Sequence, residues 1–123
     1  MKITDQVKSY EDVCKIKNID PINSLPFPEP ATAEEKAING FTKIIRAIEV
    51  LNEGWKPDWE DWNQRKYYPW WNSGSGSGFS YLVYDFVRSS SPLGSRLVLK
   101  SRELAEHIAE HFIDDYRAFM VIE

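Results

Sequence analysis

A chain of 123 residues, 42% hydrophobic and 28% charged, with a net charge of −4, has the size and balance of one globular domain that can bury a core without a disulfide or a metal. The single cysteine, Cys14, excludes an intramolecular disulfide and suits a reducing cytosol, and the mixed charges, with no basic block, argue against an electrostatic grip on duplex nucleic acid. The opening MKITDQVKSYEDV lacks the apolar stretch of a signal peptide, and no apolar run approaches about 18 residues, so neither a leader nor a membrane span is expected and a cytoplasmic location is.

One domain is expected over 1–123, with residues 1–8 as a loose N-terminus. Ser9, followed three residues on by Asp12, has the form of a helix start. Tyr10, Val13, Cys14 and Lys17 then share a face, which predicts a short helix over 10–18 that must dock to be stable. Residues 19–31, IDPINSLPFPEPA, hold four of the seven prolines and read as an extended connector wrapped on the body through Ile19, Ile22, Leu25 and Phe27. Thr32 with Glu35 forms a capping box. A long helix is expected from there to about Asn52, with Ala37, Phe41, Ile44, Ile45, Ile48 and Leu51 as its apolar stripe and Gly54 as its stop.

All five tryptophans follow within GWKPDWEDWNQRKYYPWW, residues 54–71. Asp58 suggests a cap for one or two helical turns through Gln64. KYYPWW, residues 66–71, reads as a strand, placed at a sheet edge or broken because Pro69 has no N–H to donate. NSGSGSG, 72–78, reads as a flexible loop. FSYLVYDFV, 79–87, is the clearest strand. Phe79, Tyr81, Val83, Asp85 and Val87 fall on one face and Ser80, Leu82, Tyr84 and Phe86 on the other; neither face is polar, which predicts a central position. SRLVLK, 95–100, predicts a third strand. Ser101 caps a last helix expected over 102–118, with Leu104, Ala105, Ile108, Ala109, Phe112, Tyr116 and Phe119 on its apolar face. The expected architecture is a two-layer α+β domain of order α-α-β-β-β-α: a three-stranded antiparallel meander packed on two long helices, plus the short N-terminal helix, with one sheet face left without a helical cover.

Four features carry candidate chemistry. His107-Ile108-Ala109-Glu110-His111 matches the H-x-x-E-H pattern of inverted zinc metalloproteases, where two histidines one helical turn apart share a metal; no third ligand follows at a distance, so His107 and His111 are weak metal candidates at a polar helix border. The glycine-rich 74–78 segment precedes a strand and has no lysine motif, which favours a hairpin loop over a phosphate cradle. Ser89-Ser90-Ser91 lacks a nucleophile motif, but Arg65, Lys66, Arg88, Arg96 and Lys100 offer a candidate anion-binding set. The aromatic stretch offers Trp55, Trp59, Trp62, Tyr67, Tyr68, Trp70 and Trp71 as a candidate binding surface. Rings interleaved with Lys56, Arg65 and Lys66 suit base or sugar stacking, while Asp58, Glu60 and Asp61 cancel those charges and favour a core or a protein interface.

The run Asn52-Glu53-Gly54-Trp55-Lys56-Pro57-Asp58-Trp59, then Lys66-Tyr67-Tyr68-Pro69-Trp70, then Gly94-Ser95-Arg96-Leu97 with Lys100-Ser101, resembles a small protein family common in gut-bacterial genomes, prophages and mobile elements. The resemblance covers nearly the whole chain. It implies a phage or mobile-element context and a cytosolic home; the family has no assigned activity, so no catalytic residue carries over. The combined expectation is a non-enzymatic accessory protein acting as a protein-interaction module through its aromatic surface, with a protein partner or a second copy of itself, no cofactor and no membrane. Single-stranded nucleic-acid binding by stacking is the alternative, and a small zinc-dependent hydrolase at His107 and His111 the second alternative.

Overall fold

The computed structural model describes residues 2–73 and 78–122 and is an α+β fold of five helices and a two-stranded antiparallel sheet. Its elements are α1 (Ile3–Gln6), α2 (Tyr10–Lys17), α3 (Ala33–Leu51), β1 (Lys66–Ser73), β2 (Phe79–Val87), α4 (Arg102–His111) and α5 (Ile113–Met120), with a 3-10 turn at Ser95–Leu97 before α4. No helix among the described residues is long and apolar enough to cross a membrane. Residues 74–77 of the glycine-rich stretch lie outside the described residues; Asn72 and Ser73, expected in that loop, extend β1 instead.

Side-chain caps set the helix starts. Ser9 accepts the Asp12 N–H, Thr32 and Glu35 close a reciprocal capping box, and Ser101 accepts the Leu104 N–H. Ile44, Ala47, Ile48 and Leu51 of α3 meet Val13 and Cys14 of α2, Leu104, Ala105 and Ile108 of α4, and Trp71 and Phe79 of the sheet in one core. Cys14 is buried in it as a small apolar group. The N-terminus is not loose: residues 3–6 form a helical turn, and Val7 is wholly buried with its carbonyl against His107 Nε2. The proline-rich connector is tied down by two side chains of α3. The buried Asn39 amide pairs with both the N–H and the C=O of Phe27 (3.1 and 2.8 Å), and Arg46 donates to the Ser24 carbonyl, the Ser24 hydroxyl and the Tyr10 hydroxyl.

The expected third strand is reduced to one bridge. Tyr67 exchanges both backbone bonds with Leu99 (2.9 and 2.7 Å). The next group on that side of β1 is residue 69, two along, and Pro69 has no N–H. Leu97, which would face it, winds into the 3-10 turn instead. On the far side of Leu99 the side chain of Asn52 stands where another strand would be, donating to the Val98 carbonyl (3.0 Å) and accepting the Lys100 N–H (3.0 Å). β1 thus lies between β2 and the Leu99 bridge, with the missing N–H of Pro69 on the Leu99 side, and β2, expected to be central, is the outer strand.

A register shift between Trp70 and Trp71 leaves Leu82 unpaired in β2, because Trp70 faces Val83 and Trp71 faces Tyr81. The bulge overturns the expected alternation. Phe79, Tyr81 and Tyr84 all pack toward the core, and Leu82 and Val83 are both exposed. The last helix is also broken. Phe112, at φ −129° and ψ 25°, ends α4 and caps α5, so that α4 lies on the sheet while α5 turns along α3, Phe41 meeting Phe119 edge-on at 5.3 Å. Asp114 and Asp115 occupy the first turn of α5, where carboxylates favour a helix start.

Asp115 makes that turn pH-sensitive. Burial pushes its carboxyl up to about 6, against the pull of Lys43 at 3.8 Å and with help from the charges of Asp114 and Glu11. A raised folded-state value means that the folded protein holds this proton more tightly than the unfolded chain. Its contribution to stability is therefore greatest in acid and is lost as the pH rises from about 4 through about 6. Asp115→Asn should flatten urea stability between these pH values and add about 1 to 2 kcal/mol at pH 7, less than the full shift would give because part of the carboxylate meets solvent. An unchanged pH profile in the variant would remove Asp115 as the source.

Candidate functional site

The chain between α3 and β1 is built from tight local turns and not from the helix expected after Asp58. The Asp58 carboxylate accepts the Glu60 N–H (3.0 Å), the Asp61 carboxylate accepts the Asn63 N–H (2.9 Å), and Gln64 Oε1 accepts the Asp58 N–H (2.7 Å). These side chains substitute for helical bonds and hold 58–64 in successive Asx turns. Glu53 and Gly54, at φ 48° and 85°, bring the chain off α3 through left-handed backbone.

Lys66 fastens this loop to the sheet. The side chain is wholly buried; its ammonium donates to the carbonyl oxygens of Asp61 (3.1 Å) and Arg88 and lies 5.1 Å from the centre of the Trp59 ring. Lys66 was expected in the anion-binding set and does not belong to it, because its charge points inward. Trp59, half-buried above it, donates its Nε1–H to Ser95 Oγ at 2.7 Å and ties the loop to the 3-10 turn as well.

What remains outside is an interleaved stack. The Arg88 guanidinium sits 4.3 Å from the centre of the Trp62 ring and 5.8 Å from that of Phe86, and the Arg65 guanidinium lies 4.6 Å from Phe86. Trp62 is 62% exposed, the most exposed of the tryptophans. Neither arginine has an ion-pair partner among the described residues. Each stacks one plane on a ring and keeps N–H edges for a carboxylate or phosphate. On the other face of the hairpin, Trp70, 49% exposed, stands opposite Val83 beside exposed Leu82.

The seven aromatic candidates therefore divide. Trp71 and Tyr68 are buried: Trp71 stacks on Phe79 at 4.9 Å and lies 4.8 Å from Tyr116, and Tyr68 reaches the Asp85 carboxylate at 3.4 Å. Burial, then the charge of Asp85, raises the Tyr68 phenol above its ordinary value. Tyr67 is half-buried among Tyr84 and Phe86, and Trp55 is half-buried on a separate cavity. Only Trp62 and Trp70 are well exposed. Of the basic candidates, Arg65 and Arg88 come together, Arg96 is exposed on the rim of the Trp55 cavity, and Lys100 pairs with Glu53 at 3.6 Å. Phe86, the ring that joins the two arginines, was not among the candidates. Its position two residues before Arg88 in a strand, on the same side, was the available signal.

His107 and His111 lie ring to ring at 4.4 Å. His107 Nε2 is taken by the Val7 carbonyl, and among the described residues no three His, Cys, Asp or Glu side chains group in a way that could hold a metal. Comparison with family models, curated proteins and solved structures returned no match.

Proposed function

We propose that this protein is a non-enzymatic protein-interaction module whose docking surface is the Trp62–Arg88–Phe86–Arg65 stack. The observation that carries this reading is that Trp62, though 62% exposed, is already held by Arg88 at 4.3 Å. An anchor fixed before binding loses little side-chain freedom on docking, and tryptophan and arginine are the residues that most often dominate interface energetics. The phage or mobile-element context is part of the proposal and rests on the resemblance at Asn52–Trp59 and Lys66–Trp70.

A second reading, single-stranded nucleic-acid binding, draws on the same stack, since a ring beside an unpaired arginine suits a base and its phosphate. The local charge favours protein. Asp58, Glu60 and Asp61 are exposed in the same loop and repel a polyanion over many phosphates, but tolerate a single partner carboxylate.

Iodide should quench a large part of the tryptophan fluorescence, and a short single-stranded oligonucleotide should leave that quenching unchanged. Affinity capture from the native host should recover a partner that Trp62→Ala or Arg88→Ala retains at least about tenfold less well, the loss of an anchor being about 2 kcal/mol or more. Quenching relieved by the oligonucleotide, in a salt-dependent way, would transfer the surface to nucleic acid. A partner captured equally by both variants would remove it from this face.

A further inference from the structure

Beside the C-terminal end of α3 lies a cavity of about 210 Å³ that the Trp62 surface does not use. Ile45, Ile48, Trp55 and Pro57 give it an apolar lining. This explains why Ile45, expected in the core stripe, is only half-buried: it faces the cavity. Exposed Lys56, Arg96 and Ser95 complete the lining.

The polar groups of the lining are of two kinds. Some are committed: the Asn52 amide is spent on Val98 and Lys100, and the Glu49 carboxylate is paired with Lys17. Others are available. Lys56 and Arg96 are exposed and have no ion-pair partner among the described residues. Ser95 Oγ accepts from Trp59, which leaves its hydroxyl proton to donate. The cavity thus joins an apolar interior to two uncompensated cations and one hydroxyl donor.

We propose that this cavity binds a small aromatic carboxylate, with its ring against Ile45, Ile48 and Trp55 and its carboxylate at Arg96, Lys56 and Ser95. The size fits, since an apolar cavity of about 150 Å³ accepts a benzene ring, and the remainder leaves room for a short acid substituent. The orientation follows from the helix. The negative C-terminal end of α3, whose Asn52 is in the lining, disfavours a carboxylate beside it, which leaves the Arg96 guanidinium, where a two-pronged bond can form. This site is independent of the Trp62 surface, and either proposal can fail alone.

The test is a titration of the full chain with phenylacetate, followed by the amide and indole N–H resonances. The Trp55 indole and the Gly54 amide should shift saturably in the millimolar range, with Trp62 unmoved. Phenylacetamide, which has the same shape without the charge, should bind at least about fivefold more weakly, and Arg96→Gln should weaken phenylacetate by about the same factor while Lys15→Gln, at an exposed cation outside the cavity, leaves it unchanged. Arg96 and Lys15 are both exposed, so these variants fold. No shift at Trp55 and Gly54 up to about 10 mM, equal binding of acid and amide, or shifts centred on Trp62 would each overturn the assignment.

Discussion

Lys66→Ala should lower stability by about 3 to 4 kcal/mol, a fall in Tm of roughly 10 °C or more. The side chain is wholly buried, yet among the described residues its ammonium meets no carboxylate, only the carbonyls of Asp61 and Arg88 and the face of Trp59. Truncation removes an aliphatic stem from a closed site and leaves a cavity. It also strips the Arg88 carbonyl of its donor; the Asp61 carbonyl keeps the Gln64 N–H at 3.2 Å. Lys66→Met separates the two effects. It restores the stem and also removes the cost of burying a charge, so it should lose only about half as much. Chemical denaturation of both variants reads the order directly. If methionine is as damaging as alanine, the ammonium is the stronger contributor; if both are near neutral, the loop is held by other means. The consequence reaches the proposed surface, because Lys66 grips the backbone of the very residue, Arg88, that immobilises Trp62. In Lys66→Ala the iodide quenching of tryptophan should change even under conditions where the domain remains folded.

The role of Lys66 was within reach of the sequence in one respect. Arg65 and Lys66 are neighbours on an extended chain, so their side chains point to opposite sides, and one of the pair had to face away from the guanidinium stack. What alternation does not tell is that the loop 58–65 folds back over that side and buries it. The helix starts were legible because each is written in a few consecutive residues: Ser9 with Asp12, Thr32 with Glu35, Ser101 before Leu104. The sheet was less so. Pro69 was correctly identified as a limit on pairing, but the sequence does not tell which edge of the strand its missing N–H faces. That depends on Tyr67 having chosen Leu99 as a partner. The bulge at Leu82 had no local mark, since Leu82 and Val83 are both apolar and either can face the core. The break at Phe112 was masked by an apolar period that runs through it unchanged from Leu104 to Phe119, and only the paired carboxylates of Asp114 and Asp115 hinted at a second helix start. In each case the missing information is a long-range contact, and the aromatic stretch divides into core, frame and surface through the same contacts.

The second large effect is expected at Gly40, in the middle of α3, where a glycine costs about 1 kcal/mol against alanine in helix propensity. A Cβ built there would come within 2.7 Å of the Asp115 carbonyl oxygen and 2.9 Å of the Ala118 Cβ. The first of these is backbone, in the first turn of α5, and has no rotamer by which to retreat. Gly40→Ala should therefore force α5 away from α3 and lower stability by about 2 kcal/mol net of the propensity gain, and Gly40→Val by more. The strain would spread to the edge contact of Phe41 with Phe119 and to the ion pair of Lys43 with Asp115, which lie along the same helix crossing. Ala118→Gly provides the discriminating control. It removes the 2.9 Å obstacle but not the carbonyl, so in combination with Gly40→Ala it should recover only part of the loss, beyond its own propensity cost. Full recovery would assign the closeness of the crossing to Ala118 alone. A Gly40→Ala variant as stable as the parent, or more stable, would mean that α5 is free to move, and that the turn holding Asp115 is set by its own sequence and not by its fit against α3.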